Sequence, residues 1–228
     1  MAYSKAMNIL GLLLSFIMVI LVVGLGFFLA KQEGVSSETV RKIIHIGVSN
    51  WWFILIAFFD VLSFALIGPI LFILTNGVAV LSGFADRLGV SDRKRNFGLI
   101  YFPISLFIAV LLGYTNTIEL FVCGIGIITM GYGDGLAALV GKRYGKRKLF
   151  GGKTVVGTLT MFFVTFFVVL GFSYGYAIPL LWSRAWYLSA VGIALAASLL
   201  EAYTPKGLDN LSVPIGTMLI AHVLLGSV

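Results

Sequence analysis

The sequence predicts an all-α fold: a polytopic transmembrane helical bundle of about eight (7–8) spanning helices, with one helix broken around Asp134. Three observations carry this. Of 228 residues, 60% are hydrophobic and only 11% are charged, against about 25% charged in an ordinary soluble domain. The mean hydropathy is +1.06. The apolar residues fall into runs of membrane-spanning length, separated by short polar segments. Eight helices of about 20 residues each consume most of the chain. The expected organisation is therefore one integral membrane domain over residues 1–228, without a large soluble domain.

The first run is Ile9 to Ala30. It is too long for the apolar part of a signal peptide and has no small-residue cleavage pattern at its end, so it reads as a retained helix. The second runs from Ile43 to Phe59, and Asp60 separates it from the third, Val61 to Leu81. A polar loop, Ser82 to Asn96, carries Asp86, Arg87, Asp92, Arg93, Lys94 and Arg95. The fourth run, Gly98 to Leu112, is short and contains Pro103; the fifth, Ile118 to Val140, encloses Asp134. After a basic loop from Gly141 to Lys153 come the sixth, Thr154 to Tyr174, the seventh, Ala185 to Leu200, and the eighth, Leu211 to Val228. The lone cysteine, Cys123, lies inside an apolar run, which excludes an intrachain disulfide and thiolate metal clusters.

The basic residues test this count. With eight crossings, 14 of the 16 Lys and Arg share one side. They are Lys31, Arg41 and Lys42; Arg87, Arg93, Lys94 and Arg95; Lys142, Arg143, Lys146, Arg147, Lys148 and Lys153; and Lys206. Only Lys5 and Arg184 fall on the other. By the positive-inside rule this predicts a multi-pass protein with both termini outside and the basic loops, with any active site they build, on the cytoplasmic face. The same charge attracts anionic lipid headgroups. Nucleic acid is not an expected partner, because no soluble domain presents a basic patch.

The densest polar constellation is Gly131-Tyr-Gly-Asp-Gly135. A carboxylate within a membrane helix is costly and usually functional. Alternating glycines weaken the helix and let backbone or ligand approach, so Asp134, with Gly133 and Gly135, is expected to border a hydrated pocket. In the following loop, Gly151-Gly152 stand directly before the sixth helix. Free amides at a helix N-terminus, with Lys153 and Thr154 beside them and Thr158 one turn on, form a candidate phosphate site. A Walker A loop would need Gly where Arg147 stands. A third polar group comprises Glu201, Asp209 and Asn210; with Asp134 these carboxylates suit a hard cation that shares its coordination with substrate phosphates. Arg41 and His45, four apart, share a helix face and read as substrate or phosphate contacts. His222 reads as structural and without charged company.

Five segments in order resemble the polyprenol (dolichol), phytol and diacylglycerol kinase family, itself related to phosphatidate cytidylyltransferases. They are Arg41-Lys42-x-x-His45, Gly98-Leu-Ile-Tyr-Phe-Pro103, Gly133-Asp-Gly-Leu-Ala-Ala-Leu-Val-Gly-Lys-Arg-Tyr-Gly145, Gly152-Lys-Thr-x-x-Gly157 and Glu201 followed by Gly207-Leu-Asp-Asn-Leu-x-Val-Pro214. The resemblance runs from the second helix to the eighth. It implies a kinase that uses CTP and Mg²⁺ or another divalent cation to phosphorylate a lipid alcohol in the bilayer. Taken with the residue patterns, it assigns Asp134, Lys153 and His45 to catalysis. Gly133, Gly135, Gly152, Thr154, Thr158, Arg41, Lys42 and Asn210 would contact the nucleoside triphosphate. Asp134, Asp209 and Glu201 would hold the metal. In one departure, related chains often carry Glu three residues after the loop lysine, where this chain has Val156.

Two other functions fit the composition. A cytidylyltransferase would attack the α-phosphorus of CTP, and the Arg41/His45 and Asp209/Asn210 pairs favour the kinase over it. A transporter would place its broken helix at the bilayer midplane within an internal repeat. No such repeat is evident, and the polar motifs gather towards one face.

Overall fold

A computed structural model describes residues 2–83, 97–178, 181–205 and 207–226, and every structural statement below concerns these residues. Asp86, Arg87, Asp92, Arg93, Lys94, Arg95 and Lys206 lie outside them. The elements are helical: α1 (Ala2–Ala30), α2 (Ser37–Ser49), α3 (Trp51–Phe58), α4 (Leu62–Ala65), α5 (Ile67–Leu81), α6 (Gly98–Tyr114), α7 (Leu120–Ile128), a π-helical turn (Thr129–Asp134), α8 (Gly135–Tyr144), α9 (Val155–Gly175), α10 (Arg184–Tyr203) and α11 (Asp209–Leu225). Paired where they run on, α2–α3, α4–α5 and α7–π–α8 join the single helices into eight antiparallel elements, as the apolar runs predict. Five stretches are long and apolar enough to cross a membrane: Ser4–Ala30, Leu62–Leu81, Leu120–Tyr144, Val155–Gly175 and Arg184–Tyr203.

Lipid is the solvent for much of the surface. Leu13, Phe16, Ile17, Ile20 and Leu21 of α1 and Leu159, Phe163 and Phe167 of α9 are all exposed. The α7–π–α8 element is the reverse case, buried on nearly all sides. Because lipid tails are as apolar as leucine, close packing rather than hydrophobic burial drives association between such helices, and small residues permit it. A Cβ at Gly126 would lie 2.4 Å from the Pro214 carbonyl oxygen; one at Gly124 would lie 2.3 Å from the Trp52 indole nitrogen. Glycine here lets α11 and α3 press directly against the central helix.

Two prolines inside helices show how the bundle satisfies its backbone. Proline removes the N–H that would bond the carbonyl four residues earlier, and in a membrane the freed carbonyl needs another donor. Pro103 frees Leu99, whose oxygen accepts from Asn76 Nδ2 of α5 at 3.0 Å. Pro214 frees Asn210, whose oxygen accepts from Ser105 Oγ of α6 at 2.9 Å. Both interruptions thereby become inter-helix bonds.

Contacts at the two ends establish the alternation of loops. At one end Lys142 of α8 donates to Ser36, the N-cap of α2, at 2.5 Å, while the Asn210 side chain donates to the Gly98 oxygen at 2.9 Å. At the other, Asn8 binds Asp60, the Tyr114 hydroxyl donates to the Phe59 oxygen at 2.8 Å, and His222 Nδ1 meets Glu119 at 2.9 Å. His222 thus has the charged neighbour that its surroundings in the sequence do not show: Glu119 lies 103 residues away. Helix α2 starts at Ser37, six residues before its apolar run, because the Ser36 hydroxyl accepts the Thr39 amide and caps it.

Candidate active site

The break around Asp134 takes the form of a π turn, in which the helix widens and continues. Such turns insert an extra residue and recur at functional sites. The three alternating glycines in and directly after this turn pack closely against neighbouring helices. Cβ atoms at Gly131 and Gly135 would strike Ser49 and Ile46 of α2, and one at Gly133 would strike Met161 of α9. Helices α2 and α9 therefore sit against the turn from two sides.

What this close approach achieves is the placement of Asp134, which is 1% exposed. Its Oδ2 is paired with Lys42 of α2. Its Oδ1 lies 3.9 Å from Lys153 and has no hydrogen-bond partner. Lys153, in the loop before α9, is also paired with Glu201 near the end of α10 and lies 3.4 Å from Asp209 Oδ2 at the start of α11. One ammonium group thus gathers carboxylates from three separate elements. Burial alone would lower the Lys153 pKa; the charges of Asp134, Glu201 and Asp209 outweigh it and hold the group above the ordinary lysine range.

The loop that delivers Lys153 is built locally. Gly151 and Gly152 have φ of +63° and +82°, a left-handed conformation that favours glycine. Leu149 N donates to the Lys153 oxygen at 2.7 Å and Val155 N to the Arg147 oxygen at 3.1 Å, folding the loop back on itself. Thr154 caps α9 by accepting the Gly157 amide at 3.1 Å. The amides of Val155 and Gly157 therefore already have partners, and the α9 N-terminus is less open to an anion than its glycines suggest. A Cβ at Gly157 would lie 2.9 Å from the Ala137 oxygen, so α9 starts in backbone contact with α8.

Asp209 Oδ1 accepts the amides of Gly207 and Asn210 at 2.9 and 3.1 Å, which fixes its other oxygen towards Lys153. Asn210 ties α11 to α6: its side-chain Nδ2 donates to the Gly98 oxygen and its backbone oxygen accepts from Ser105 Oγ. Thr158 Oγ1 and Glu201 Oε2 are buried without partners. Arg41 and His45 of α2 line an apolar cavity; the His45 ring stands edge-on to Phe102 at 4.8 Å.

Three carboxylates and two ammonium groups leave this buried cluster one net negative charge. Burying unmatched charge is costly. Among the described residues no group of three or more His, Cys, Asp or Glu side chains closes around a metal position. The orphaned oxygens of Asp134 and Glu201 nonetheless fit a hard cation that takes its remaining ligands from phosphate and water. Sequence reasoning missed the direct Lys42–Asp134 pair, the tie from Ser105 to Asn210, and the contact of His45 with Phe102. Each depends on helix register, which local patterns do not reveal.

The fold and this cluster define a polytopic membrane protein with a buried charged site beside an apolar cavity. Comparison with known proteins gives the particular family. The chain is 33% identical over 201 residues to phytol kinase of Synechocystis sp., covering 81% of this chain and 78% of that protein. It is 31% identical over 221 residues to probable phytol kinase 1, chloroplastic, of Oryza sativa (87% and 68%), and 26% identical over 219 residues to phytol kinase 1, chloroplastic, of Arabidopsis thaliana (87% and 70%). The chain belongs to the phytol kinase family, a class of membrane lipid-alcohol kinases. No family model matches it, and neither does any solved structure.

Proposed function

We propose that this protein transfers the γ-phosphate of CTP to the hydroxyl of a membrane lipid alcohol, phytol first among the candidates, with Mg²⁺ as the divalent cation. The observation that carries this reading is the convergence of Asp134, Glu201 and Asp209 on Lys153, with Lys42 on the far side of Asp134. Phosphoryl transfer requires positioning and charge neutralisation more than covalent help from the protein. Lys153 and Lys42 supply positive charge. Asp134 and Glu201, with Asp209, would hold the metal, which when bound draws negative charge from the phosphates. Lys153, paired with Glu201 and 3.4 Å from Asp209, is the cation that would meet the nucleotide phosphates. In the reaction the alcohol oxygen bonds to the γ-phosphorus, the bond to the bridging oxygen breaks, and CDP leaves. Asp134 and His45 are the groups able to accept the hydroxyl proton.

The test supplies purified protein with CTP labelled at the γ-phosphate, with Mg²⁺ and either phytol, a polyprenol or diacylglycerol, and ATP in parallel. Label in the phytol fraction supports the proposal. Release of labelled pyrophosphate with cytidylate in the lipid would replace it with cytidylyl transfer. Faster transfer from ATP would overturn the choice of nucleotide.

A further inference from the structure

Helices α1, α2, α5 and α6 enclose a cavity of about 540 Å³, within the range of small-molecule sites. Its lining changes character along its length. Towards the end where the basic loops gather it meets Ser37, Arg41 and Asn76; further in it is bounded by Val23, Val48, Phe72 and Leu106. From Ser37 to Val48 the wall of α2 rises about 16 Å at 1.5 Å per residue. A second groove, lined by Phe53, Tyr132, Phe167 and Phe172 among others, is larger, at about 720 Å³, but its Tyr132 hydroxyl is already bonded to Asn50 at 2.9 Å and no charged group lines it.

The first cavity adjoins the charge cluster through a single helix. On α2, Lys42 reaches Asp134 while Arg41 and His45 line the cavity. A molecule with an apolar body among Val23, Val48 and Leu106 and a polar end at His45 therefore ends beside the Lys42–Asp134 pair. That is the division of chemistry in a long-chain alcohol. We infer that this cavity seats the hydrocarbon chain of the substrate alcohol, and that Val23, Val48, Phe72 and Leu106 set the length of chain it accepts. The inference rests on the lipid-alcohol kinase reading and adds to it the place and the ruler.

Two measurements test it. The first compares kcat/KM for farnesol, phytol and solanesol, prenyl alcohols of increasing length, in the wild type, Val23→Phe and Phe72→Ala. Val23→Phe narrows the cavity and should lower the phytol-to-farnesol ratio about tenfold, the usual scale for a pocket that loses space for part of an apolar ligand. Phe72→Ala should raise the solanesol-to-phytol ratio. Length profiles parallel to wild type in both variants would overturn the inference while leaving kinase activity intact. The second measurement uses a diazirine-bearing phytol analogue in phosphatidylcholine vesicles without nucleotide, followed by peptide mapping. Labels on α1, α2 and α6 that excess phytol removes support the site. Labels on Phe53 or Phe167 instead, or labels that phytol does not displace, would overturn it. Because labelling needs no turnover, a wild type that phosphorylates none of the alcohols would refute the kinase reading and leave the cavity to be judged by the map.

Discussion

Lys153 and Asp134 each answer to more than one neighbour, so the effect of a substitution depends on which partner is left behind. Asp134→Asn removes the carboxylate that faces both Lys42 and Lys153. A neutral amide is a poor ligand for a hard cation, and turnover should be lost. The same change leaves Lys42 buried without a counter-charge, a cost of about 3–5 kcal/mol. The double variant Lys42→Gln/Asp134→Asn should therefore recover thermal stability without recovering activity, and near-normal turnover in either would remove Asp134 from the chemistry. For Lys153 the comparison is with Lys146, whose side chain is exposed on the same loop. Exposed charges are screened within about 8 Å; a charge-assisted contact to a buried phosphate is worth roughly 1.5–3 kcal/mol. Lys153→Ala should thus lower the rate about ten- to hundredfold and Lys146→Ala should barely change it. Lys153→Arg should recover part of the loss, because a planar fork does not reproduce a compact ammonium. Initial rates against CTP concentration decide, and equal effects at both positions would mean a diffuse positive field with no specific site.

At the scale of the helices, the site depends on contacts that only glycine and a few hydroxyls allow. Gly126→Ala would drive a methyl into the Pro214 carbonyl and should destabilise by about 1–3 kcal/mol, the usual cost of overpacking. Gly24→Ala meets nothing within 4 Å and should leave stability unchanged. Ser105→Ala strands the Asn210 carbonyl that Pro214 freed; a loss of about 1 kcal/mol, with weaker substrate turnover as Asp209 shifts, is the expected result. Thermal unfolding of the three variants in detergent orders them, and Gly24→Ala falling with Gly126→Ala would contradict the packing account. These contacts also mark where sequence reading stops. Hydropathy locates each apolar run, since a membrane demands length and apolarity of every spanning segment. Asp134 stands out as a carboxylate within an apolar run, and Lys153, Glu201 and Asp209 as polar groups at the ends of such runs; the structure brings them together. The pairing of Lys42 with Asp134 requires the register of α2 against the π turn. Likewise the bond from Asn210 to the Gly98 carbonyl joins residues 112 apart in the chain, and no local pattern announces it.

At the scale of the whole molecule, the question is which way the bundle faces. The loops that follow α1, α8 and α10 meet at one end through Lys142–Ser36 and through Lys153 with Glu201 and Asp209, and the start of α6 joins them through Gly98 and Asn210. The far end holds Asp60, Asn116 and Glu119. Among the described residues, Lys31, Arg41, Lys42 and the six basic residues from Lys142 to Lys153 belong to the site end, and on the positive-inside rule we propose that this end faces the cytoplasm. The orientation also matters to the chemistry, since a nucleoside triphosphate is supplied from the cytoplasm while the alcohol arrives within the bilayer. Single cysteines at Lys146 and Asn116, both exposed, report the two ends against a background in which Cys123 is buried. In intact cells a membrane-impermeant maleimide should label Asn116→Cys and should reach Lys146→Cys only after permeabilisation. The reverse pattern would place the Lys153 cluster on the outer face, away from its nucleotide, and the orientation derived from charge would have to be abandoned along with the cytoplasmic supply of CTP.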